Sequence, residues 1–190
     1  MFDGPNRLLL QREGTVLVLV DVQERIVLAT PPPIWREVRK NIRILLEASQ
    51  IMKIPIIVTE QYPEGLGHLV QDLQGPWCDN TIAKTSFNCC REEAFLDRLK
   101  EKNARQVLMV GMESHVCIYQ TTLALLHRGY PVHLATDAIG ARYKKDHQIA
   151  VANANQAGAT LTTVEMALFQ MLKDSKAPEF RAVSALVKER

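Results

Sequence analysis

Three continuous apolar runs constrain the fold of this chain more than any other feature. Residues 15–20, 54–59 and 106–112 are dominated by valine, isoleucine, leucine and methionine, and the first run is followed at once by Asp21. Runs of this kind are typical of strands that are buried on both faces of a parallel sheet. We therefore predict that these three segments are neighbouring core strands.

Helical patterns separate the predicted strands. Apolar residues recur at helical spacing over 35–52, and 91–102 is amphipathic. Shorter strands are predicted at 132–136 and 160–164, and further helices at 114–128, 146–157, 166–172 and 178–188. Alternation of strands and helices predicts an α/β fold whose mostly parallel sheet is covered on both faces.

The chain has 190 residues, which is enough for one domain with a substantial core. We predict a single domain, with a core over about 15–172 and a C-terminal helix over about 178–188. Residues 60–81 form a long stretch, punctuated by glycine and proline, with little periodicity. A loop of that length in a compact domain is usually functional, for example as a lid.

Composition excludes several classes of function. The 23 basic and 21 acidic residues give a net charge of +2, which argues against a nucleic-acid partner. No apolar run approaches the roughly 20 residues of a membrane span, and the first seven residues do not resemble a secretory signal. Four cysteines (Cys78, Cys89, Cys90 and Cys117) without zinc-site spacing favour reduced thiols in the cytoplasm, with no bound metal.

Candidate chemistry lies beyond the carboxyl ends of the strands, where ligands bind in such sheets. Cys117 follows the third strand in the spacing Gly111-Met-Glu-Ser-His-Val-Cys117. If Ser114 caps the next helix, Cys117 lies in the first turn of that helix. The helix dipole then predicts a lowered pKa for the thiol and a better nucleophile.

Asp21 and Lys84 can supply what a cysteine nucleophile needs. Taken singly, Asp21 is often a cap, Lys84 a surface lysine, and Cys117 a small buried hydrophobic residue. Together they provide a base, a charge partner and a nucleophile at one edge of the sheet. Backbone N–H groups of Glu113 and Cys117 are suitably placed to hold an oxyanion.

The order of these residues resembles the isochorismatase-like cysteine hydrolases, which include the nicotinamidases. Asp21-Val-Gln23 matches the first motif of that family, Lys84 the second, and the segment from Gly111 to Ile118 the third. The resemblance spans roughly residues 15–164. It implies a three-layer α/β/α fold, an Asp21–Lys84–Cys117 triad, an acyl-enzyme of the thioester type, and a cis peptide bond between Met112 and Glu113.

Within that family, the chain is most similar to the isochorismatase-domain subgroup of unassigned substrate, which shares the segment from Thr59 to Gly67. Nicotinamidases carry Asp-x-His after the second strand as part of a metal site. This chain has Glu60-Gln-Tyr62 instead, so we expect no catalytic metal. Relatives assemble into oligomers, so the resemblance also implies a homo-oligomer.

Five residues are candidates for a substrate pocket. Gln23 follows Asp21, Glu60 and Tyr62 open the long loop, Phe87 follows Lys84, and His115 lies in the elbow. Core packing, capping or a surface position is the competing interpretation for each of them. Cys78, Cys89 and Cys90 have no predicted role.

The sequence therefore predicts a cofactor-independent cysteine hydrolase that acts on an amide-like or related bond of a small molecule. The alternative is a catalytically silent interaction or scaffold module that keeps the same fold. A nucleotide- or flavin-binding domain is disfavoured because no glycine-rich phosphate loop follows Asp21.

Overall fold

The computed structural model describes residues 7–188, and within that range it contains a parallel sheet of six strands. The strands are β1 (Thr15–Val20), β2 (Ile56–Gln61), β3 (Ile82–Lys84), β4 (Gln106–Met112), β5 (Val132–Gly140) and β6 (Thr160–Thr162). Their order across the sheet is β3-β2-β1-β4-β5-β6, and every neighbouring pair is parallel. The order reverses between β1 and β4, and this is where a ligand crevice forms at the carboxyl ends of the strands.

Eight α-helices lie in the described part of the chain. They are α1 (Glu24–Leu28), α2 (Pro32–Ile51), α3 (Pro63–Leu66), α4 (Glu93–Glu101), α5 (Tyr119–His127), α6 (Lys144–Gln156), α7 (Val164–Leu172) and α8 (Phe180–Lys188). None of them is long and apolar enough to cross a membrane.

Alternating side chains of the strands build two cores, one on each face of the sheet. In β1, Leu17 and Leu19 belong to the core under α2, α7 and α8, while Val16 and Val18 belong to the core under α4, α5 and α6. Strands buried on both faces have no polar side, which explains the continuous apolar runs. The predicted α/β fold in three layers is confirmed.

The structure differs from the predicted elements in the segment that carries Lys84. Residues 82–84 form the edge strand β3, where no strand is predicted from the sequence. Three residues are too few for a pattern of period two to stand out. The long loop also has structure of its own, since α3 and two 3₁₀ turns (Gln71–Leu73 and Pro76–Cys78) lie within it.

Gly111 lies where β4 passes closest to β1. Its φ is +122°, and a Cβ atom there would lie 2.1 Å from the carbonyl oxygen of Val20. The register between β4 and β5 also shifts at this point, between Met109 and Gly111. Only glycine allows both this backbone conformation and this close approach.

We predict that Gly111→Ala destabilises the protein far more than Gly129→Ala. Gly129 also has a positive φ, of +83°, but nothing lies within 4 Å of its missing Cβ. We expect a loss of about 3–5 kcal/mol for Gly111→Ala and about 1–2 kcal/mol for Gly129→Ala. Urea unfolding of both variants measures the difference, and equal losses would contradict the close approach.

His133 is the other unusual residue of the sheet. It lies in β5, is fully buried, and neither ring nitrogen has a hydrogen-bond partner within residues 7–188. Burial lowers the pKa of His133 to about 4. In the unfolded chain, His133 is protonated below about pH 6.5. In the folded protein, it is protonated only below about pH 4.

We predict that His133→Leu makes the protein less sensitive to acid. Because the folded pKa lies below the unfolded value, His133 lowers stability as the pH falls through this window, by up to about 3 kcal/mol. Urea unfolding at neutral pH and near pH 4 should show a smaller loss in the variant than in the wild type. The exposed His127, changed to Gln, is the matched control, and an equal loss in all three proteins would contradict the prediction.

Candidate active site

Asp21 lies immediately after β1, at the point where the strand order reverses. Its φ is +49°, and its N–H donates to the Thr59 carbonyl oxygen over 3.1 Å. The Thr59 hydroxyl donates to Asp21 Oδ1 over 2.7 Å. The fully buried carboxylate is therefore held by backbone and side chain of the neighbouring strand.

Lys84 reaches Asp21 from the edge strand β3. Its Nζ lies 2.6 Å from Asp21 Oδ2, 2.7 Å from Gln61 Oε1 and 3.3 Å from the Ser86 carbonyl oxygen. An ammonium group has three N–H donors, and each of them has an acceptor. Since both side chains of the ion pair are 0% exposed, neither charge is shared with water.

Burial lowers the pKa of Lys84, but the negative charge of Asp21 opposes this effect, and the net result is a raised pKa. The ammonium form therefore persists over the whole neutral range. The Lys84 ammonium group therefore stays positively charged beside Asp21, out of contact with water.

Gln61, on β2, links the ion pair to its surroundings. While its Oε1 accepts from Lys84, its Nε2 donates to the Thr85 carbonyl oxygen over 2.6 Å. Gln23 fixes the backbone at this position, because its Oε1 accepts from the Gln61 N–H and its Nε2 donates to the Gln61 and Gly67 carbonyl oxygens. Gln23 therefore acts on Gln61 and on the long loop.

Cys117 lies in an unusual turn after β4. The Met112–Glu113 peptide bond is cis, which is what the resemblance implies. Ser114–Ile118 then forms a π-helical turn that leads into α5, and the Glu113 carbonyl oxygen accepts from the Ile118 N–H. π-helical turns are frequent at functional sites.

The expected cap by Ser114 is absent. Glu113 occupies the position before the turn, and no side chain caps it. The Ser114 hydroxyl lies instead 3.2 Å from Nδ1 of His147 in α6. Ser114 is itself part of the π-helical turn, so its hydroxyl cannot cap the start of that turn.

The expectation of a lowered thiol pKa is wrong for the resting site. Burial raises the pKa of Cys117, and the negative charge of Asp21 raises it further, while Lys84 lowers it. Cys117 is only 5% exposed, so desolvation outweighs the helix dipole. Cys117 is therefore a neutral thiol at rest, and a base would have to remove its proton before the sulfur could act as a nucleophile.

A cavity of about 220 Å³ opens onto Cys117. Its lining combines apolar side chains with a few polar ones: Arg25, Ile26, Ala29, Gln61, Leu66, Phe87, Glu113, Val116, Cys117 and Arg142. The volume suits a small molecule.

Of the five residues predicted to border a pocket, Phe87 lines this cavity. Glu60 does not, because its carboxylate accepts from the Leu69 N–H and lies 3.0 Å from His68 Nδ1. Tyr62 is 54% exposed and is not among the residues that line the cavity.

The other two predicted pocket residues also have different positions. The Gln23 side chain donates its amide N–H groups to carbonyl oxygens of β2 and the long loop. His115 Nε2 lies 3.9 Å from Asp146 Oδ2, next to α6. Neither residue is among those that line the cavity.

Three polar residues of the lining were not predicted from the sequence. Gln61 lay between the candidates Glu60 and Tyr62, but its role depends on the pairing of β2 with β3. Arg142 donates to the Glu113 carboxylate, at 2.9 Å from Nε to Oε1. Arg25 lies on α1, one turn after Asp21, and carried no motif signal.

Cys89 lies next to the ion pair. Its Sγ is 3.9 Å from the Thr59 hydroxyl oxygen, and burial raises its pKa to about 11. All four cysteines are free thiols. Within residues 7–188, no group of three or more histidine, cysteine or acidic side chains is arranged to hold a metal ion.

Comparison with known proteins places this chain in a family. The model of the Isochorismatase domain matches residues 15–166. Isochorismatase family protein 1A of Dictyostelium discoideum is 38% identical over 154 residues, which are 78% of this chain and 74% of that protein.

Solved structures share the fold. The structure of MAR1 ribonuclease from Caenorhabditis elegans has a TM-score of 0.87 and 37% identity, and the match covers 94% of this chain and 91% of that one. YcaC of Escherichia coli, described as an octameric hydrolase of unknown specificity, has a TM-score of 0.84 over 98% of both chains. Its identity of 22% shows similarity of fold alone.

We predict that Asp21→Asn and Lys84→Met move the thiol pKa of Cys117 in opposite directions. Removing the Asp21 charge lowers that pKa, and removing the Lys84 charge raises it, because the two charges act on the thiol with opposite sign. The rate of iodoacetamide labelling at Cys117, followed by peptide mass spectrometry over a range of pH, measures both shifts. Circular dichroism controls for folding, and shifts in the same direction in two folded variants would contradict this electrostatic account.

Proposed function

This chain belongs to the isochorismatase family, and we propose on that basis that it is a cofactor-independent hydrolase with Cys117 as nucleophile. Its substrate is a small molecule with an amide-like bond. The observation that carries the proposal is the buried ion pair of Lys84 and Asp21, at 2.6 Å, beside a cavity that Cys117 lines. A nucleophile, a base and a charge partner are thus all provided by the chain.

In the first step, Asp21 takes the proton from the Cys117 sulfur. The negative charge then moves from the carboxylate to the sulfur, while the Lys84 ammonium group stays in place. Because Lys84 attracts both groups, the transfer leaves the net charge of the buried site unchanged.

The thiolate next attacks the carbonyl carbon, and a C–S bond forms as the carbonyl π pair moves onto oxygen. Backbone N–H groups of Glu113 and Cys117 hold this oxyanion. The Glu113 carbonyl oxygen, which accepts from the Val116 and Ile118 N–H groups, fixes the elbow that presents these donors. Collapse of the intermediate breaks the C–N bond, and Asp21 returns the proton to the leaving amine.

Water completes the reaction. Asp21 deprotonates a water molecule, which adds to the thioester carbon, and the C–S bond breaks to release a carboxylic acid. The thiolate takes back the proton, so that Cys117 and Asp21 return to their starting states. Each turnover consumes one amide and one water and yields one acid and one amine.

The ribonuclease in the name of the C. elegans neighbour is a competing activity. The cavity at Cys117 has a volume of about 220 Å³ and a mainly apolar wall, which favours a small molecule over a polynucleotide. RNA added as a second substrate in the same assays separates the two activities.

A scaffold module without catalysis is less well supported. Burying the Lys84–Asp21 ion pair costs desolvation energy, and apolar residues of similar volume often give equal or greater stability. A scaffold would therefore gain nothing from keeping this pair. We also propose that the protein is a cytoplasmic homo-oligomer. Leu28 is 84% exposed, and assembly would bury such an apolar side chain.

We predict that Cys117→Ala lowers kcat/KM for amide hydrolysis by at least on the order of a thousandfold, because no nucleophile remains. Ammonia release from a panel of small primary amides measures the loss. Cys78→Ser, which changes a half-buried thiol outside the cavity, is the matched control and keeps its activity. Full activity of a folded Cys117→Ala protein would overturn the proposed function.

A further inference from the structure

The cavity at Cys117 carries an unbalanced positive charge. Three charged residues line it: Arg25, Glu113 and Arg142. Arg142 donates to both oxygens of Glu113, over 2.9 Å from Nε and 3.3 Å from the second terminal nitrogen. These two charges cancel each other.

The catalytic charges behind the cavity also cancel. Lys84 is paired with Asp21, and the amide of Gln61 is bonded at both ends, to Lys84 and to the Thr85 carbonyl oxygen. None of these groups is free to bind a charged ligand.

Arg25 remains. Among residues 7–188, no carboxylate forms an ion pair with its guanidinium group, although Arg25 lines the same cavity as Cys117. It lies on the short helix α1, two residues after Gln23, whose contacts with Gln61 and Gly67 anchor the start of that helix. These contacts fix the backbone position of Arg25, whose exposed side chain reaches the cavity.

The remaining side chains of the lining are apolar. They are Ile26, Ala29, Leu66, Phe87 and Val116. A ligand that fits has a reacting group at Cys117, a short apolar body and an anionic group at Arg25.

We propose that the substrate is a small amide that also carries a carboxylate, which Arg25 binds. This inference rests on the proposed hydrolase function and names its substrate class. A guanidinium group binds a carboxylate through two parallel N–H donors, and such charge-assisted bonds are stronger than neutral ones. Arg25 is thus a residue that determines specificity.

The test compares matched substrates that differ only in charge. Monoamides of short dicarboxylic acids, such as malonamate, succinamate and glutaramate, are each paired with the neutral amide in which a methyl ketone replaces the carboxylate. We expect the wild type to prefer at least one acid over its neutral partner by about tenfold or more in kcat/KM, which is the gain of a charged hydrogen bond. Equal rates for every pair would overturn the inference.

Arg25→Gln should reduce this preference to a ratio near one, and Arg25→Lys should restore part of it. Arg36→Gln is the matched control, because Arg36 is an exposed arginine on α2 that does not line the cavity. A preference for the acid that survives Arg25→Gln would assign recognition to another group.

Binding to Cys117→Ala separates this inference from the proposed function. Calorimetry with succinamate and its neutral partner requires no turnover. The Cys117→Ala protein should bind succinamate more tightly than the neutral partner, and adding Arg25→Gln should abolish this difference. Binding that depends on Arg25, without hydrolysis by the wild type, would support the inference and contradict the hydrolase. Hydrolysis that depends on Cys117 without a preference for acids would do the reverse.

Discussion

The buried ion pair between Lys84 and Asp21 is the interaction on which the rest of the site depends. Two charges held out of water are stable only when their remaining donors and acceptors are satisfied. Thr59, Gln61 and the Ser86 carbonyl oxygen meet that requirement. Together, these contacts bring the ends of β1, β2 and β3 to one place.

In the proposed mechanism, the same pair explains how a neutral thiol can serve as a nucleophile. Cys117 lies in a π-helical turn where burial raises its pKa, so the protein does not store a thiolate at rest. The ion pair supplies both a base and a positive charge that stays in place when the proton moves. In the proposed mechanism the sulfur becomes reactive only when Asp21 takes its proton.

Apolar runs and the order of Asp21, Lys84 and Cys117 were enough to predict the layers of the fold and the proposed triad. What they could not predict depends on contacts between distant segments. Gln61 meets Lys84 because β2 and β3 pair in one register, and Arg142 meets Glu113 across 29 positions of sequence. The thiol pKa follows from burial, which no single motif encodes.

Transfer of an acyl group to Cys117 is the central claim, and p-nitrophenyl acetate tests it without knowledge of the natural substrate. Mixing the wild type with this ester should release p-nitrophenolate in an initial phase equimolar with protein and leave an acetyl group on Cys117, located by peptide mass spectrometry. Cys117→Ala should show neither signal. An acetyl group on lysines or on Cys78, with Cys117 unmodified, would contradict the account.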